Sequence, residues 1–277
     1  MDGRISWSAM EADCLVEIFM KLGLDDLILS VPFVCKSWLA AVCHPLCWKK
    51  LDFRQLDVLP WSNFSKTFTL LYSLPYFSFT HLLKLAVKLG RNSVTELSLP
   101  LKFISSEDLE FISNECPKLK SVALPILSSD NEILFSELMR KWKDLERLEL
   151  KFNPSNFAEL LKNISHYCNK FSELTVSGKI SGEDAMAIVS FLPEIKKLNL
   201  SGSFLPKKVL LVIVEGCKEL QELNVNGCVG FKGDDSEIRA KVSAIREFKD
   251  KHCKLYLEDA YECIKWDKGF RLNGYIL

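Results

Sequence analysis

Apolar residues recur along the middle of the chain at an interval of about 25 positions. Six segments carry two apolar residues separated by one polar position, and the first of each pair recurs after 25, 26, 26, 24 and 25 residues. These first positions are Leu97, Val122, Leu148, Leu174, Leu198 and Leu223. Such alternation predicts short strands with one buried face. Between the strands the apolar residues follow helical spacing, as in FAELLKNISHYC at 157–168.

This unit of one strand and one helix has the period and the L-x-x-L-x-L core of a leucine-rich repeat. One strand and one helix cannot bury their own apolar face, so successive units must stack. The sequence therefore predicts an α/β repeat fold, a curved solenoid with a parallel sheet on the concave side and helices outside.

The repeats are assigned to residues 93–258, after a linker and divergent first repeat at 55–92. The period is predicted to break after Asn226, with a last strand at Leu255 and Leu257. Residues 259–277 are expected to be a C-terminal cap or tail, because the end of a solenoid needs covering. A binding site for a recruited protein in the tail, at Trp266 and Phe270, is the competing interpretation.

Cysteines occupy one register position of the repeats, three residues before each L-x-x-L-x-L motif. Successive repeats place Cys116, Trp142, Cys168, Leu192 and Cys217 there. A position that accepts Cys, Trp and Leu is predicted to be a buried apolar slot, since free cysteine behaves as a small hydrophobe. Cys228 and Asn153 fall where the repeat calls for a residue that hydrogen-bonds the turn backbone.

The first fifty residues have a different pattern, made of short helices. Leu15, Ile18, Phe19 and Leu22 form one helical stripe, and Cys35, Trp38, Leu39 and Val42 form another. Pro32 is predicted to separate the second helix, which contains Leu27, from the third. A unit of this size cannot bury so much apolar surface by itself. The pattern therefore predicts a partner protein.

Within this unit, residues 10–53 resemble an F-box. Val34, Cys35, Lys36 and Trp38 match its central Val-Cys-Lys-x-Trp signature, and Trp48 and Lys49 match its closing pair. Met10 and Glu11 replace the usual opening Leu-Pro. An F-box at 7–54 followed by cysteine-bearing repeats resembles the F-box/LRR family, above all its plant members, over residues 7 to about 257.

The resemblance implies a substrate-recognition subunit of an SCF ubiquitin ligase without catalytic residues, metal or cofactor. Its F-box would bind a Skp-type adaptor, and through it a cullin, while its repeats would recruit an unknown target protein for ubiquitination. The residues expected to contact the adaptor are Leu15, Ile18, Phe19, Leu22, Leu27, Val34, Cys35, Trp38 and Trp48.

Strand alternation identifies the positions expected to contact the target, since residues flanking the buried leucines face the concave side. A solvated sheet face without a ligand remains the alternative. This row has neither the basic run nor the stacking aromatics of a nucleic-acid groove. The expected target contacts are Arg147, Glu149, Lys151, Glu173, Lys197, Asn199, Glu222 and Asn224.

Composition narrows the remaining function classes. Lys+Arg and Asp+Glu balance at 36 each, which argues against non-specific binding to nucleic acid or membrane. The sequence lacks a signal h-region and a membrane-spanning run, so we expect an intracellular protein of the cytoplasm or nucleus. Two alternatives stay open: a repeat scaffold with no role in degradation, and a thiol or metal enzyme that uses Cys43, His44 and Cys47.

Overall fold

The computed structural model of the chain describes residues 10–101 and 104–255. The predictions for 7–9, Leu257 and the C-terminal cap lie outside these residues. The described chain contains an eight-stranded parallel sheet in which every strand pairs with the next one in sequence. The strands are β1 (Lys50–Asp52), β2 (Glu96–Ser98), β3 (Ser121–Leu124), β4 (Arg147–Leu150), β5 (Glu173–Val176), β6 (Lys197–Asn199), β7 (Glu222–Asn224) and β8 (Glu247–Lys249).

Helices connect successive strands, and three of them precede the sheet. These three are α1 (Ala12–Phe19), α2 (Leu24–Leu29) and α3 (Lys36–Val42), with 3-10 turns at Val31–Phe33 and Pro45–Trp48. Two helices separate β1 from β2, namely α4 (Asn63–Leu71) and α5 (Phe79–Gly90). The later strands are followed in turn by α6 (Ser106–Glu115), α7 (Ser129–Leu138), α8 (Phe157–Tyr167), α9 (Gly182–Phe191), α10 (Lys207–Gly216) and α11 (Ser236–Val242).

One buried residue from each strand builds a continuous apolar ladder along the sheet. Strand register aligns Leu51, Leu97, Val122, Leu148, Leu174, Leu198, Leu223 and Phe248. The first seven are buried, and Phe248 at the open end is half-buried. The predicted leucine-rich-repeat solenoid is therefore confirmed, since each repeat covers the apolar edge of the one before it.

The sheet starts earlier than the sequence reading placed it. Strand β1 lies inside the segment 7–54 assigned to the helical unit, and it pairs with β2 from Lys50–Glu96 to Asp52–Ser98. The signal was present as Trp48-x-x-Leu51-x-Phe53, which has the spacing of the repeat motif. It was missed because Leu51 precedes Leu97 by 46 residues, a gap that accommodates two helices instead of one.

The prediction that the period breaks after Asn226 is wrong, and Leu255 lies outside the strands of the described chain. The period continues, because Phe248 follows Leu223 by 25 residues and pairs with it in β8. Cys253 then occupies the turn position that Cys228 holds one repeat earlier, and each thiol donates to a backbone carbonyl at 3.1 Å. The sequence did not predict this repeat because Asp250 stands where the motif has its second apolar residue.

The slot before each strand is buried in all five repeats where it was predicted. Cys116, Trp142, Cys168, Leu192 and Cys217 are all buried. Asn153, at the turn position, donates its side-chain amide to the Lys179 carbonyl at 3.2 Å. These contacts confirm that the recurrent cysteines are packing residues of the solenoid.

Replacing Trp142 by alanine is expected to lower the free energy of unfolding by about 3–5 kcal/mol, because the change leaves a cavity between repeats. The Trp142 ring packs against Phe135 with 5.7 Å between ring centroids. Urea unfolding followed by circular dichroism measures the loss. Trp61, which is 65% exposed, gives the matched control. Trp61→Ala is expected to change the free energy of unfolding by no more than about 0.5 kcal/mol. Equal losses at both sites would contradict the assignment of Trp142 to a buried slot between repeats.

Candidate functional site

Four of the nine residues expected to contact an adaptor lie inside the N-terminal helical unit instead. Leu15, Phe19, Leu27 and Trp48 are each no more than 2% exposed. The Trp48 indole N–H donates to the Val42 carbonyl at 2.7 Å. Their side chains offer a partner no accessible surface, so the expectation of direct contact is corrected: these residues hold the three helices together.

The other five residues expected to contact an adaptor lie on the surface of the N-terminal helical unit. Val34 is 57% exposed, and Leu22, Cys35 and Trp38 are half-buried. Sequence reasoning did not place Met20, Phe33 and Leu39 in the contact set, although the large apolar side chains at 18–20 and 33–39 were the available signal. We call the exposed set the N-terminal apolar surface: Ile18, Met20, Phe33, Val34 and Leu39.

Cys35 marks the start of α3 at the edge of this surface. Its backbone is extended at the N-cap, and its Sγ lies 3.1 Å from the Ser37 hydroxyl. Hydrogen bonds from the Ser37 hydroxyl and from the Trp38 backbone lower the pKa of the Cys35 thiol. Cys35 therefore differs chemically from the cysteines of the repeats.

Burial acts on the repeat cysteines in the opposite direction. It raises the pKa of Cys116, Cys168 and Cys228 to about 12, because the thiolate is disfavoured away from water. Cys47 is buried as well, and its pKa is raised to about 11. Thiols in such surroundings are poor nucleophiles and poor metal ligands at neutral pH.

The helical unit and the repeats are joined by partly buried hydrogen bonds and by packing. The Tyr72 hydroxyl, directly after α4, donates to the Ile28 carbonyl of α2 at 2.9 Å. The Ser93 hydroxyl, just before β2, donates to the Pro45 carbonyl at 2.8 Å. Gly90 lies against Trp48, where even an added Cβ would come within 3.6 Å of the Trp48 backbone. The N-terminal helices are thus continuous with the first repeat.

The concave face contains the eight residues expected to contact a target. All eight lie on or immediately after the strands, beside the buried ladder; Lys151 is exposed and the others are half-buried. The structure brings them together as one row of neighbouring strands, β4 to β7. It also adds residues that the sequence reading left out, at the two ends of the row: Arg54 after β1, and Glu247 and Lys249 in β8.

Ion pairs cover the first half of this face. The Arg54 guanidinium lies between Asp52 and Glu149, with N–O distances of 3.0 and 3.1 Å, and so reaches from the first strand to the fourth. Arg147 reaches back to Glu96 at 3.2 Å. Ser98 and Ala123, which are aligned on the intervening strands β2 and β3, have small side chains. Arg147 and Glu149 are therefore engaged within the chain.

The enzyme alternative depends on Cys43, His44 and Cys47. Among the residues that the structure describes, no group of three His, Cys, Asp or Glu side chains is placed to hold a metal ion. The His44 ring accepts a hydrogen bond from the Leu46 backbone at 3.4 Å, and Cys47 is buried with its thiol directed at the Ala41 carbonyl. In the same part of the chain, every helix is too short or too polar to cross a membrane.

Comparison with known proteins identifies similar chains in Arabidopsis thaliana. An F-box/LRR-repeat protein is 30% identical over 229 residues, which are 79% of this chain and 71% of that protein. F-box protein FBW2 is 24% identical over 284 residues, covering 94% of this chain and 84% of its own length. F-box protein SKIP19 is 24% identical over 234 residues, covering 83% and 72%. No family model matches the chain.

Iodoacetamide is expected to alkylate Cys35 in the folded protein well before Cys116, Cys168 and Cys228, because the thiolate is the reacting species. The rate at Cys35 should rise with pH earlier than for an ordinary thiol, since its pKa is lowered. Ser37→Ala removes the first cause of that shift and is expected to slow the reaction. Mass spectrometry of the digested protein measures each site. Equal rates at Cys35 and at the repeat cysteines would contradict this assignment.

Proposed function

Because the chain belongs to the F-box/LRR-repeat proteins, we propose that it is the substrate-recognition subunit of an SCF-type ubiquitin ligase. The N-terminal helical unit docks on a Skp-type adaptor, and through it on a cullin. The concave face of the repeats recruits a target protein for ubiquitination. In this role the chain is a receptor that supplies no catalytic group, and it acts in the cytoplasm or nucleus.

The N-terminal apolar surface is the observation that carries the proposal. Large apolar side chains that stay exposed together are a mark of a protein interface. Here they lie on or directly after three elements, α1, the turn Val31–Phe33 and α3, and α3 contacts both of the others. Their neighbours on the same elements, such as Leu15 and Val42, already fill the core. The exposed residues are therefore available to a partner without any rearrangement of the unit.

The direct attachment of the unit to the sheet supports the second half of the proposal. A ligase receptor has to hold its target at a defined position relative to the rest of the complex. Strand β1 begins two residues after Trp48, which is buried in the helical unit. No flexible linker intervenes between them in the described chain, so the adaptor-binding surface and the concave face have a fixed relation.

Replacing Val34 and Leu39 by aspartate is expected to abolish co-purification with a Skp-type adaptor. Each change places a charge in an apolar interface, and an unpaired charge there is strongly unfavourable. Both residues are exposed, at 57% and 45%, so the folded chain should tolerate the changes. The measurement is co-expression with the adaptor, affinity purification and gel filtration, with circular dichroism to establish folding.

Met186→Asp is the matched control, because Met186 is 55% exposed and lies on α9, which packs against α8 and α10 far along the solenoid from the N-terminal apolar surface. This variant is expected to bind the adaptor as the wild type does. A folded wild-type chain that ignores the adaptor would contradict the receptor role and favour a repeat scaffold outside the ligase. Equal loss of binding in both variants would contradict the assigned surface.

A further inference from the structure

The concave face is divided into two halves by the way its charges pair. On strands β1 to β4, each charged side chain of the face takes part in an ion pair, with Arg54 and Arg147 crossing between strands. On strands β5 to β8, Lys197 and Arg246 both pair with Glu222, at 3.1 and 2.9 Å. Lys249 pairs with Glu247 on its own strand at 2.8 Å.

Glu173 on β5 is left out of these pairs. In the described part of the chain, its carboxylate has no cation within 4.0 Å, in contrast to the other acidic side chains of the face. The register places Arg147 and Lys197 directly beside it, on β4 and β6. Both cations extend away from Glu173, the first to Glu96 and the second to Glu222.

A concavity of about 140 Å³ opens beside this carboxylate. Three carboxylates and two ammonium groups line it, so its formal charge is negative by one. Glu222 pairs with Lys197 and with Arg246, and Glu247 pairs with Lys249, so among the described residues Glu173 is the lining carboxylate without a cation partner. The lining residues on β5 to β8 are Glu173, Thr175, Lys197, Leu198, Asn199, Glu222, Leu223, Asn224, Glu247 and Lys249.

Two asparagines on the floor of the concavity have their side chains held in place. The Asn199 Oδ1 accepts from the Ser201 backbone N–H, and the Asn224 Oδ1 accepts from the Asn226 backbone N–H, both at 3.0 Å. This leaves each side-chain NH2 group as a donor. Neighbouring strands lie about 4.8 Å apart, so the two donors are separated by about one strand spacing.

We infer that this concavity is the part of the concave face that recognises the recruited protein, and that it takes a lysine or arginine side chain against Glu173. Thr175, two residues further along β5, also lines the concavity, and the Asn199 and Asn224 amides donate to backbone carbonyls that flank the basic residue. The occupant is therefore an exposed segment of polypeptide with a basic side chain at its centre. The inference rests on the proposed receptor function and names the chemistry of its target.

The first half of the face does not compete for this segment. A basic side chain arriving there would meet Glu149 and Glu96, whose carboxylates already bind Arg54 and Arg147. Displacing an ion pair gains less than filling an unpaired site, since the released cation has to be solvated again. Arg147 and Glu149, which the sequence suggested as target contacts, serve instead to limit recognition to β5–β8.

A random-peptide phage library panned on the purified full-length chain tests the inference. The wild type is expected to enrich peptides with lysine or arginine at one fixed position. Glu173→Gln should weaken the binding of an enriched peptide by about tenfold or more, as expected for losing one charge-assisted hydrogen bond. Glu173→Lys should reverse the preference and enrich aspartate or glutamate at that position.

Glu149→Gln is the matched control, because it removes a carboxylate from the same face that is already paired. It is expected to leave both the enriched sequences and their affinity unchanged. The inference is overturned if the wild type enriches no basic position, if Glu173→Lys selects the same peptides as the wild type, or if Glu149→Gln loses as much affinity as Glu173→Gln.

Peptide selection does not depend on the adaptor, so the two proposals fail separately. If the chain does not bind an adaptor but selects basic peptides in a manner that depends on Glu173, the ligase role is contradicted and the recognition site is supported. If the chain binds the adaptor but enriches no basic peptides, the recognition site is contradicted and the ligase role is supported.

Discussion

The apolar ladder that runs from Leu51 to Phe248 is the interaction on which the rest of the structure depends. No repeat can bury its strand leucine alone, because a single strand and helix leave one side of that leucine exposed until the next repeat stacks on it. Each repeat is therefore stable only when the adjacent one covers it. The row of short strands then fixes the curvature, and the curvature brings the residues beside the ladder together as one concave face.

The ladder begins at the end of the N-terminal helices, and this gives Trp48 two tasks. Its indole N–H donates to the Val42 carbonyl within the helical unit, while its Cβ and carbonyl oxygen lie against Gly90 of the first repeat. The helical unit thus acts as the first cover of the solenoid. Its buried residues form the core of the helical unit, and its exposed residues, such as Val34 and Leu39, are accessible to a partner.

Most of the fold was predictable from the sequence, because it rests on a period. Leu97 to Leu223 recur at nearly constant spacing, and the buried slot at Cys116, Trp142 and Cys168 follows in the same register. The two ends were misplaced because their motifs depart from the pattern: Leu51 is separated from the next repeat by two helices, and Phe248 is followed by Lys249 and Asp250 where an apolar residue is usual.

The candidate surfaces were less predictable for a physical reason. Helical spacing shows that Leu15 and Ile18 lie on one side of α1, but the difference between a core residue and an exposed one is set by α3 packing against it. On the concave face, the alternation of apolar and polar residues along each strand predicts which side chains are exposed. It does not predict which of them form ion pairs. Arg54 pairs with Glu149, 95 residues away, across three strand spacings of the sheet. Among the described residues Glu173 has no cation partner, because Arg147 and Lys197 on the adjacent strands pair with Glu96 and Glu222.

The central claim is that the N-terminal helices and the first repeats form one cooperative body. Hydrogen exchange followed by mass spectrometry in increasing urea tests it most directly, with Trp48→Ala beside the wild type. Amides of α1 and α3 should lose protection together with those of β2 and β3, and Trp48→Ala should shift both groups to lower urea by the same amount. If the helices exchange first while β2 and β3 stay protected, the two parts are independent and the account is wrong.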